Sequence, residues 1–176
     1  ALIRILALFL LLLLLPQAAS AHKPSDSYLI LQASGAHIAG QWDIALRDLE
    51  YAIGLDADGD GAITWGELKA RHAAIASYAM ARLKLRTQDR DCDSKVTDHL
   101  VDTHSDGAYA VLRFEAACPA TGALDIEYRL FFDLDPSHRG LLRWQSGALT
   151  TTGVFAPDRS VIRMEGKEIT RAAQFL

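Results

Sequence analysis

Residues Asp56–Glu67 read DADGDGAITWGE, and this twelve-residue stretch predicts how the middle of the chain folds. The spacing is that of an EF-hand calcium loop, which takes oxygen ligands from positions 1, 3, 5, 7, 9 and 12 and turns sharply at a glycine in position 6. The ligand positions fall on Asp56, Asp58, Asp60, Ala62, Thr64 and Glu67. Ala62 would contribute its backbone carbonyl, and Glu67 both carboxylate oxygens. The sequence therefore predicts a Ca²⁺ site between two helices.

A simple turn is the alternative interpretation of DADGDG, because Asp and Gly both favour turns. That interpretation leaves two later residues unexplained. Ile63 at position 8 is apolar, as expected for a side chain that points into the core behind the ion, and Glu67 occupies the bidentate position. The two residues favour a calcium loop over a plain turn.

Outside this loop, apolar and polar residues mostly alternate, which is typical of half-buried strands. Ser27–Ala33 and the stretch from Ile38 to Leu46 predict a hairpin, and Leu124–Leu134 predicts one long strand. Arg47–Leu55 and residues 65–81 predict the two helices beside the loop, with an apolar stripe on the second. The predicted fold is mainly β with an α insertion, an antiparallel β-sandwich that carries one EF-hand helix–loop–helix.

The two ends of the sequence differ from this β region. Residues 1–21 combine a cationic residue, an apolar run and the small residues Ala19-Ser20-Ala21, which predicts a signal peptide that is removed on export. Residues 22–165 would form the sandwich domain, with the EF-hand inserted at about 46–82. Residues 166–176 predict the start of a C-terminal helix or a linker. We therefore expect a periplasmic or extracellular protein.

The chain has two cysteines, Cys92 and Cys118. In an exported protein a lone pair of cysteines predicts one disulfide bond. A two-cysteine metal site is the alternative, but no second pair of cysteines accompanies these two.

Composition and motifs restrict the functional class. The formal net charge is −4 and no basic run occurs, which argues against nucleic acid or an anionic membrane surface as the partner. The sequence contains no G-x-S-x-G, H-E-x-x-H, P-loop or G-x-G-x-x-G motif. We therefore expect a non-catalytic protein and identify no small-molecule substrate, and an exported hydrolase is the weaker alternative.

Histidines offer a second metal chemistry. Cleavage after Ala21 would make His22 the first residue, and its amino group and imidazole together could chelate copper or nickel. Four histidines could complete such a site: His37, His99, His104 and His138. A solvated, frayed terminus is the alternative for His22. The sequence thus leaves open a periplasmic copper or nickel carrier.

A further polar group lies on one predicted strand. One face of that strand would present Asp98, Asp102, His104 and Asp106, whereas His99 would point the other way. This mixture of carboxylates and imidazole could bind a metal. A solvated sheet edge that ends in a turn is the alternative.

Four strings of the sequence together resemble a known family. They are HKPSDSYL at 22–29, WDIALRDL at 42–49, the Asp56–Glu67 loop and DPSHRG at 135–140. They are similar to the exported N-terminal domain of HupE/UreJ-like membrane proteins, which are hydrogenase and urease accessory proteins with a proposed nickel role. In that family a helical membrane region follows a stretch similar to Thr170–Leu176. The resemblance therefore implies a membrane-protein partner or a membrane region beyond this chain, and it assigns no transport residue here.

Overall fold

The computed structural model describes residues 25–165, and in this range the protein is mainly β, with ten strands and two helices. The strands are β1 Asp26–Ser34, β2 His37–Ala45, β3 Leu83–Thr87, β4 Arg90–Asp91, β5 Asp93–His104, β6 Gly107–Ala117, β7 Leu124–Tyr128, β8 Arg139–Ser146, β9 Leu149–Phe155 and β10 Val161–Met164. The helices are α1 Leu46–Ile53 and α2 Trp65–Met80. The predicted signal peptide, His22 and the predicted C-terminal segment lie outside the described residues.

The strands form two sheets. One has six strands in the order β5-β6-β2-β1-β8-β9, and the other has four in the order β10-β7-β3-β4. The predicted hairpin of β1 and β2 is confirmed. However, β1 pairs with β8 in parallel, so the prediction of an antiparallel arrangement is wrong at this pairing. Parallel neighbours need a long crossover connection, and local periodicity carries no signal for it.

The two helices follow β2 and precede β3, where the sequence predicts them. The apolar stripe of α2 is confirmed, because Leu68, Ile75 and Ala79 are all buried. Neither helix in residues 25–165 has the length and apolar character needed to cross a membrane.

Cys92 and Cys118 form the predicted disulfide bond. Cys92 lies between β4 of the smaller sheet and β5 of the larger one, and Cys118 directly follows β6. The bridge therefore ties together chain segments of the two sheets. A bridged pair also has no thiolate to offer a metal ion.

The predicted strand over Leu124–Leu134 is correct only as far as Tyr128, where β7 ends. The chain turns at Phe131, which has a φ of 59° and whose carbonyl accepts backbone N–H groups three and four residues later. Leu130 and Phe131 are both buried. Apolar side chains thus enter the core from a turn, so the alternation continues in the sequence where the strand does not.

The ring of Tyr128 lies where the two sheets meet. Its centroid is 5.4 Å from that of Trp42 on β2 and 5.0 Å from that of Phe155 on β9, with the Phe155 ring nearly parallel to it. Gly140 of β8 contacts the same ring, and a Cβ atom there would be only 2.7 Å from Cζ of Tyr128. The close approach of the sheets therefore requires a residue without a side chain at this position.

A chain of buried hydrogen bonds begins at the hydroxyl of this tyrosine. The Tyr128 hydroxyl is 2.6 Å from Oγ of Ser27 and 2.6 Å from Nε2 of His138. The other ring nitrogen of His138, Nδ1, is 2.6 Å from Oγ of Ser25. Ser25 in turn donates to the carboxylate of Asp48 on α1 at 2.7 Å. The chain connects β1, β7, the turn before β8 and the first helix.

The donors in this chain all point the same way. Because the Ser25 proton goes to the carboxylate, its oxygen accepts from Nδ1–H of His138, and Nε2 then accepts from the Tyr128 hydroxyl. At the other end Nε1 of Trp42 donates to Oγ of Ser27 at 3.2 Å. Because the one hydroxyl proton of Tyr128 goes to His138, the Ser27 hydroxyl donates to the Tyr128 oxygen. His138 is therefore a neutral imidazole whose proton is on Nδ1.

Acidification should destabilise the protein through His138. The side chain is fully buried, and desolvation lowers its pKa to about 4, against the opposing effect of the Asp135 carboxylate. Between about pH 6.5 and pH 4 the unfolded chain binds a proton at this residue and the folded chain does not, so the free energy of unfolding falls as the pH falls. We expect a loss of about 3 kcal/mol over this window, measured by denaturant unfolding.

His138→Gln is the control for this prediction, because its side chain does not titrate. Burial also raises the pKa of Asp48, which acts in the opposite direction, and the comparison with the variant separates the two effects. The difference between wild type and variant should shrink on acidification. A wild-type free energy of unfolding that does not change across the window would contradict the assignment.

Gly140→Ala should lower the free energy of unfolding by about 1–3 kcal/mol, because the added methyl group overlaps a ring that hydrogen bonds hold in place. Gly66→Ala in the first turn of α2 is the matched control. A Cβ atom at Gly66 would meet nothing closer than Oγ1 of Thr64 at 3.9 Å, so this change should stabilise the helix by about 0.5–1 kcal/mol. Chemical denaturation measures both variants. If Gly140→Ala were as stable as wild type, the close packing against Tyr128 would be wrong.

Candidate metal centre

The loop Asp56–Glu67 connects α1 to α2, and Glu50 of α1 sets its start. The carbonyl of Glu50 accepts the N–H of Gly54, which ends the helix with a φ of 65°. The Glu50 side chain accepts the N–H of Leu55 and, at 2.8 Å, that of Asp56. Leu55 is fully buried, so the loop begins at a fixed point of the core.

The first three acidic side chains of the loop accept backbone N–H groups from the residues that follow them. Asp56 accepts from Gly59 at 2.7 Å and, through its second oxygen, from Gly61 at 2.8 Å. Asp58 and Asp60 each accept from the residue two positions later. Gly61 has a φ of 86°, the turn that the sequence predicts at position 6. The chain is thereby wrapped around its own carboxylates.

These contacts bring carboxylate oxygens of Asp56, Asp58 and Asp60 within 4.8 Å of one another. Asp58 and Asp60 are exposed and Asp56 is half-buried. The N–H group of Gly61 holds the pKa of Asp56 below its ordinary value. Its carboxylate is therefore ionised at neutral pH, and negative charge is concentrated at one accessible point.

Glu67 closes the loop from the other end. Thr64 is the N-cap of α2 and forms a capping box with Glu67, whose Oε2 accepts the Thr64 N–H at 2.9 Å. The other oxygen of Glu67 accepts the N–H of Ala57 at 2.7 Å, at the start of the loop. The Thr64 N–H is the main reason that the pKa of Glu67 falls to about 2. This carboxylate therefore faces the early loop and carries a full charge.

The potential ligand atoms of the loop fit a hard cation. All of them are oxygens, and Ca²⁺ binds six to eight oxygen ligands. They come from the four carboxylates, the Ala62 carbonyl and the Thr64 hydroxyl. The Thr64 hydroxyl now donates to Glu67 at 2.7 Å, so it serves the helix cap as well. Ile63 packs against the core, as its position in the loop predicts.

The four histidines proposed as partners of His22 each lie in a different environment. His37 is exposed at the start of β2, and both ring nitrogens of His138 are used in the buried hydrogen-bond chain. His99 stacks on His72 of α2 with the ring centroids 4.4 Å apart. His104 lies beside the carboxylate of Asp43 on β2. His22 itself is outside the described residues.

The polar group predicted on β5 has a further neighbour, Asp43 of β2, which the sequence does not predict. Asp98, Asp102 and His104 lie on β5, and Asp106 lies in the turn before β6. Nε2 of His104 is 3.2 Å from a carboxylate oxygen of Asp43 on β2. The two strands are separated by β6, so only the order of strands in the sheet brings these residues together. No local signal in the sequence indicates such a contact.

Comparison of the chain with models of known protein families and with curated proteins finds no match. The resemblance to HupE/UreJ-like domains therefore rests on the four sequence strings and stays a prediction.

Proposed function

We propose that the protein is an exported, non-catalytic calcium-binding domain, a β-sandwich that carries one EF-hand with a structural Ca²⁺ ion. The proposed ligands are Asp56, Asp58, Asp60, the carbonyl of Ala62, Thr64 and Glu67. The observation that carries the proposal is the convergence of three carboxylates within 4.8 Å of one another. The fourth carboxylate of the loop, that of Glu67, reaches back to the start of the loop.

Electrostatics supports a cation at this point. Four carboxylates in twelve residues repel one another, and backbone N–H groups compensate for only part of their charge. Bound Ca²⁺ would supply two positive charges and join the loop to the first turn of α2. The chain itself contributes the preorganisation, since Glu50 fixes the start of the loop and the Thr64 cap fixes its end.

A structural role for the ion suits the number of loops. EF-hands that act as sensors usually work in pairs, and the sequence contains one such loop. An affinity in the range of about 10⁻⁴–10⁻³ M, which is typical of extracellular modules, would keep the site filled outside the cytosol. We therefore propose an ion that stays bound and braces the two helices.

Location and partners follow from the same proposal. A disulfide bond between Cys92 and Cys118 supports an oxidising compartment such as the periplasm or the extracellular space. The sequence resemblance suggests a HupE/UreJ-like domain beside a membrane protein or joined to a membrane region. In either arrangement, the calcium-braced domain would present a rigid surface on the non-cytoplasmic side.

Calcium should stabilise the metal-free full chain against heat. At a free Ca²⁺ concentration about 100 times the Kd, the gain is about 2.7 kcal/mol, or roughly 5–10 °C in Tm for a chain of this size. Glu67→Gln removes one negative charge and the bidentate mode of binding while leaving an oxygen for the helix cap. We expect at least about a tenfold loss of calcium affinity, measured by calorimetric titration.

Glu115→Gln is the matched control, because Glu115 is an exposed acidic residue on β6, away from the loop. This variant should bind Ca²⁺ as wild type does. Unchanged affinity in Glu67→Gln, or no calcium shift in wild type, would refute the loop assignment. A Tm shift with copper or nickel that depends on His22 would instead favour the carrier alternative.

A further inference from the structure

A second group of potential metal ligands lies on the six-stranded sheet, apart from the loop. Asp43, Asp102 and His104 place two carboxylates and one imidazole with their ligand atoms within 4.8 Å of one another. Asp43 belongs to β2, the other two belong to the end of β5, and β6 runs between them. The strand pairing therefore fixes the spacing of their backbones.

Asp43 is the inner member of the group and is held in place. Only 5% of its surface is exposed. Its Oδ1 accepts from Nε2 of Gln41 at 2.9 Å, and its Oδ2 faces Nε2 of His104 at 3.2 Å. One oxygen is therefore used for orientation, and the other is directed at the imidazole.

The imidazole of His104 is also oriented by its neighbours. Its ring stacks on that of Tyr109 with the centroids 4.1 Å apart, and the ring of Tyr28 lies 5.1 Å away. Partners that fix the ring of a ligating histidine are a regular feature of metal sites. The two aromatic rings give Nε2 of His104 one direction, towards Asp43.

The surroundings are acidic. Tyr109 donates its hydroxyl proton to Asp106 at 2.8 Å. Burial and the negative charge of Asp106 raise the pKa of Asp26, against the effect of Arg139 and Arg47. Asp26 and Asp106 therefore add two carboxylates at this corner of the sheet, next to the cations Arg47 and Arg139.

We propose that Asp43, Asp102 and His104 bind a divalent transition-metal ion of the zinc type. Ligand bonds of 2.0–2.1 Å in a tetrahedron place neighbouring ligand atoms about 3.3 Å apart, close to the 3.2 Å between Asp43 and His104. Asp102 is exposed, so its side chain has room to complete the set. Three protein ligands leave a fourth position open to water or an external ligand.

The donor set separates this site from the calcium loop. The loop offers oxygen alone, which suits Ca²⁺, whereas an imidazole nitrogen with two carboxylates suits zinc and its neighbours. The site therefore stands independently of the proposed function. An ion pair between His104 and Asp43 without any metal is the competing explanation, and the experiment has to distinguish the two.

The test is a calorimetric titration with Zn²⁺. The full chain is first stripped of metal and then given excess Ca²⁺ to fill the loop. We expect one Zn²⁺ per chain. Asp102 is exposed and accepts the Thr103 N–H at 2.7 Å. Asp102→Asn keeps an oxygen that can accept this N–H, so the variant should fold normally. Because loss of an orienting partner alone costs 10–100-fold in metal affinity, loss of a ligand should weaken zinc binding at least about tenfold.

His104→Gln should weaken zinc binding in the same way, and His37→Ala, which removes an exposed histidine of β2, is the matched control and should not. Co²⁺ in place of Zn²⁺ gives a visible spectrum that reports a nitrogen ligand, and the spectrum should change in His104→Gln. Absence of zinc binding would leave only the ion pair and overturn the proposal. Equal affinity in wild type, Asp102→Asn and His104→Gln, or binding that Ca²⁺ or Glu67→Gln abolishes, would overturn it as well.

Discussion

The packing of Tyr128 constrains the rest of the structure. Its ring fills the contact between the two sheets beside Trp42 and Phe155, and Gly140 allows β8 to approach it. Its hydroxyl is buried, so it needs hydrogen-bond partners, and Ser27 and His138 supply them. A buried polar group with every partner present specifies one arrangement of its neighbours, because any other arrangement leaves a donor or acceptor unpaired. The parallel pairing of β1 and β8 places Ser25, just before β1, next to His138, just before β8.

The hydrogen-bond chain also connects this packing to the loop Asp56–Glu67, the proposed calcium site. It ends at Asp48 in the first turn of α1, and this helix leads into the loop. Leu49 and Leu55 are fully buried on either side of the end of α1, and Leu68 is buried just after the loop. Both ends of the loop are therefore held by the core while its ligand carboxylates remain accessible. In the proposed calcium-bound form, an ion would brace the helices without contributing to the packing of the sheets.

Local features of the fold could be predicted from the sequence, because each depends on a short stretch. The hairpin, the two helices and the turn at Gly61 follow from periodicity and from the demands of a metal loop. The disulfide follows from the count of cysteines and the expected compartment. For the candidate calcium site, the spacing alone places Asp56, Asp58 and Asp60 together. The motif does not indicate that Glu50 fixes the start of the loop or that Thr64 and Glu67 form the helix cap.

Features that depend on distant residues could not be predicted. The alternation in Leu124–Leu134 cannot distinguish a strand from a turn that buries Leu130 and Phe131. His138 lies in the turn before β8, and its two hydrogen-bond partners Ser25 and Tyr128 are 113 and 10 residues away in the sequence. The contact of Asp43 with His104 likewise needs the order of strands in the sheet. In each case an interaction across the fold determines what the local pattern leaves open.

A crystal structure of the calcium-loaded full chain, with anomalous scattering to identify the ion, tests most directly whether calcium binds in the Asp56–Glu67 loop. We expect one calcium peak with ligand distances of about 2.3–2.6 Å. The ligands would be Asp56, Asp58, Asp60, the Ala62 carbonyl and both oxygens of Glu67, with Thr64 bound directly or through water. In that structure Glu67 would have released the N–H of Ala57. A loop without a calcium peak in crystals grown in excess Ca²⁺, with Glu67 still bound to Ala57, would contradict the assignment of the loop as a calcium site.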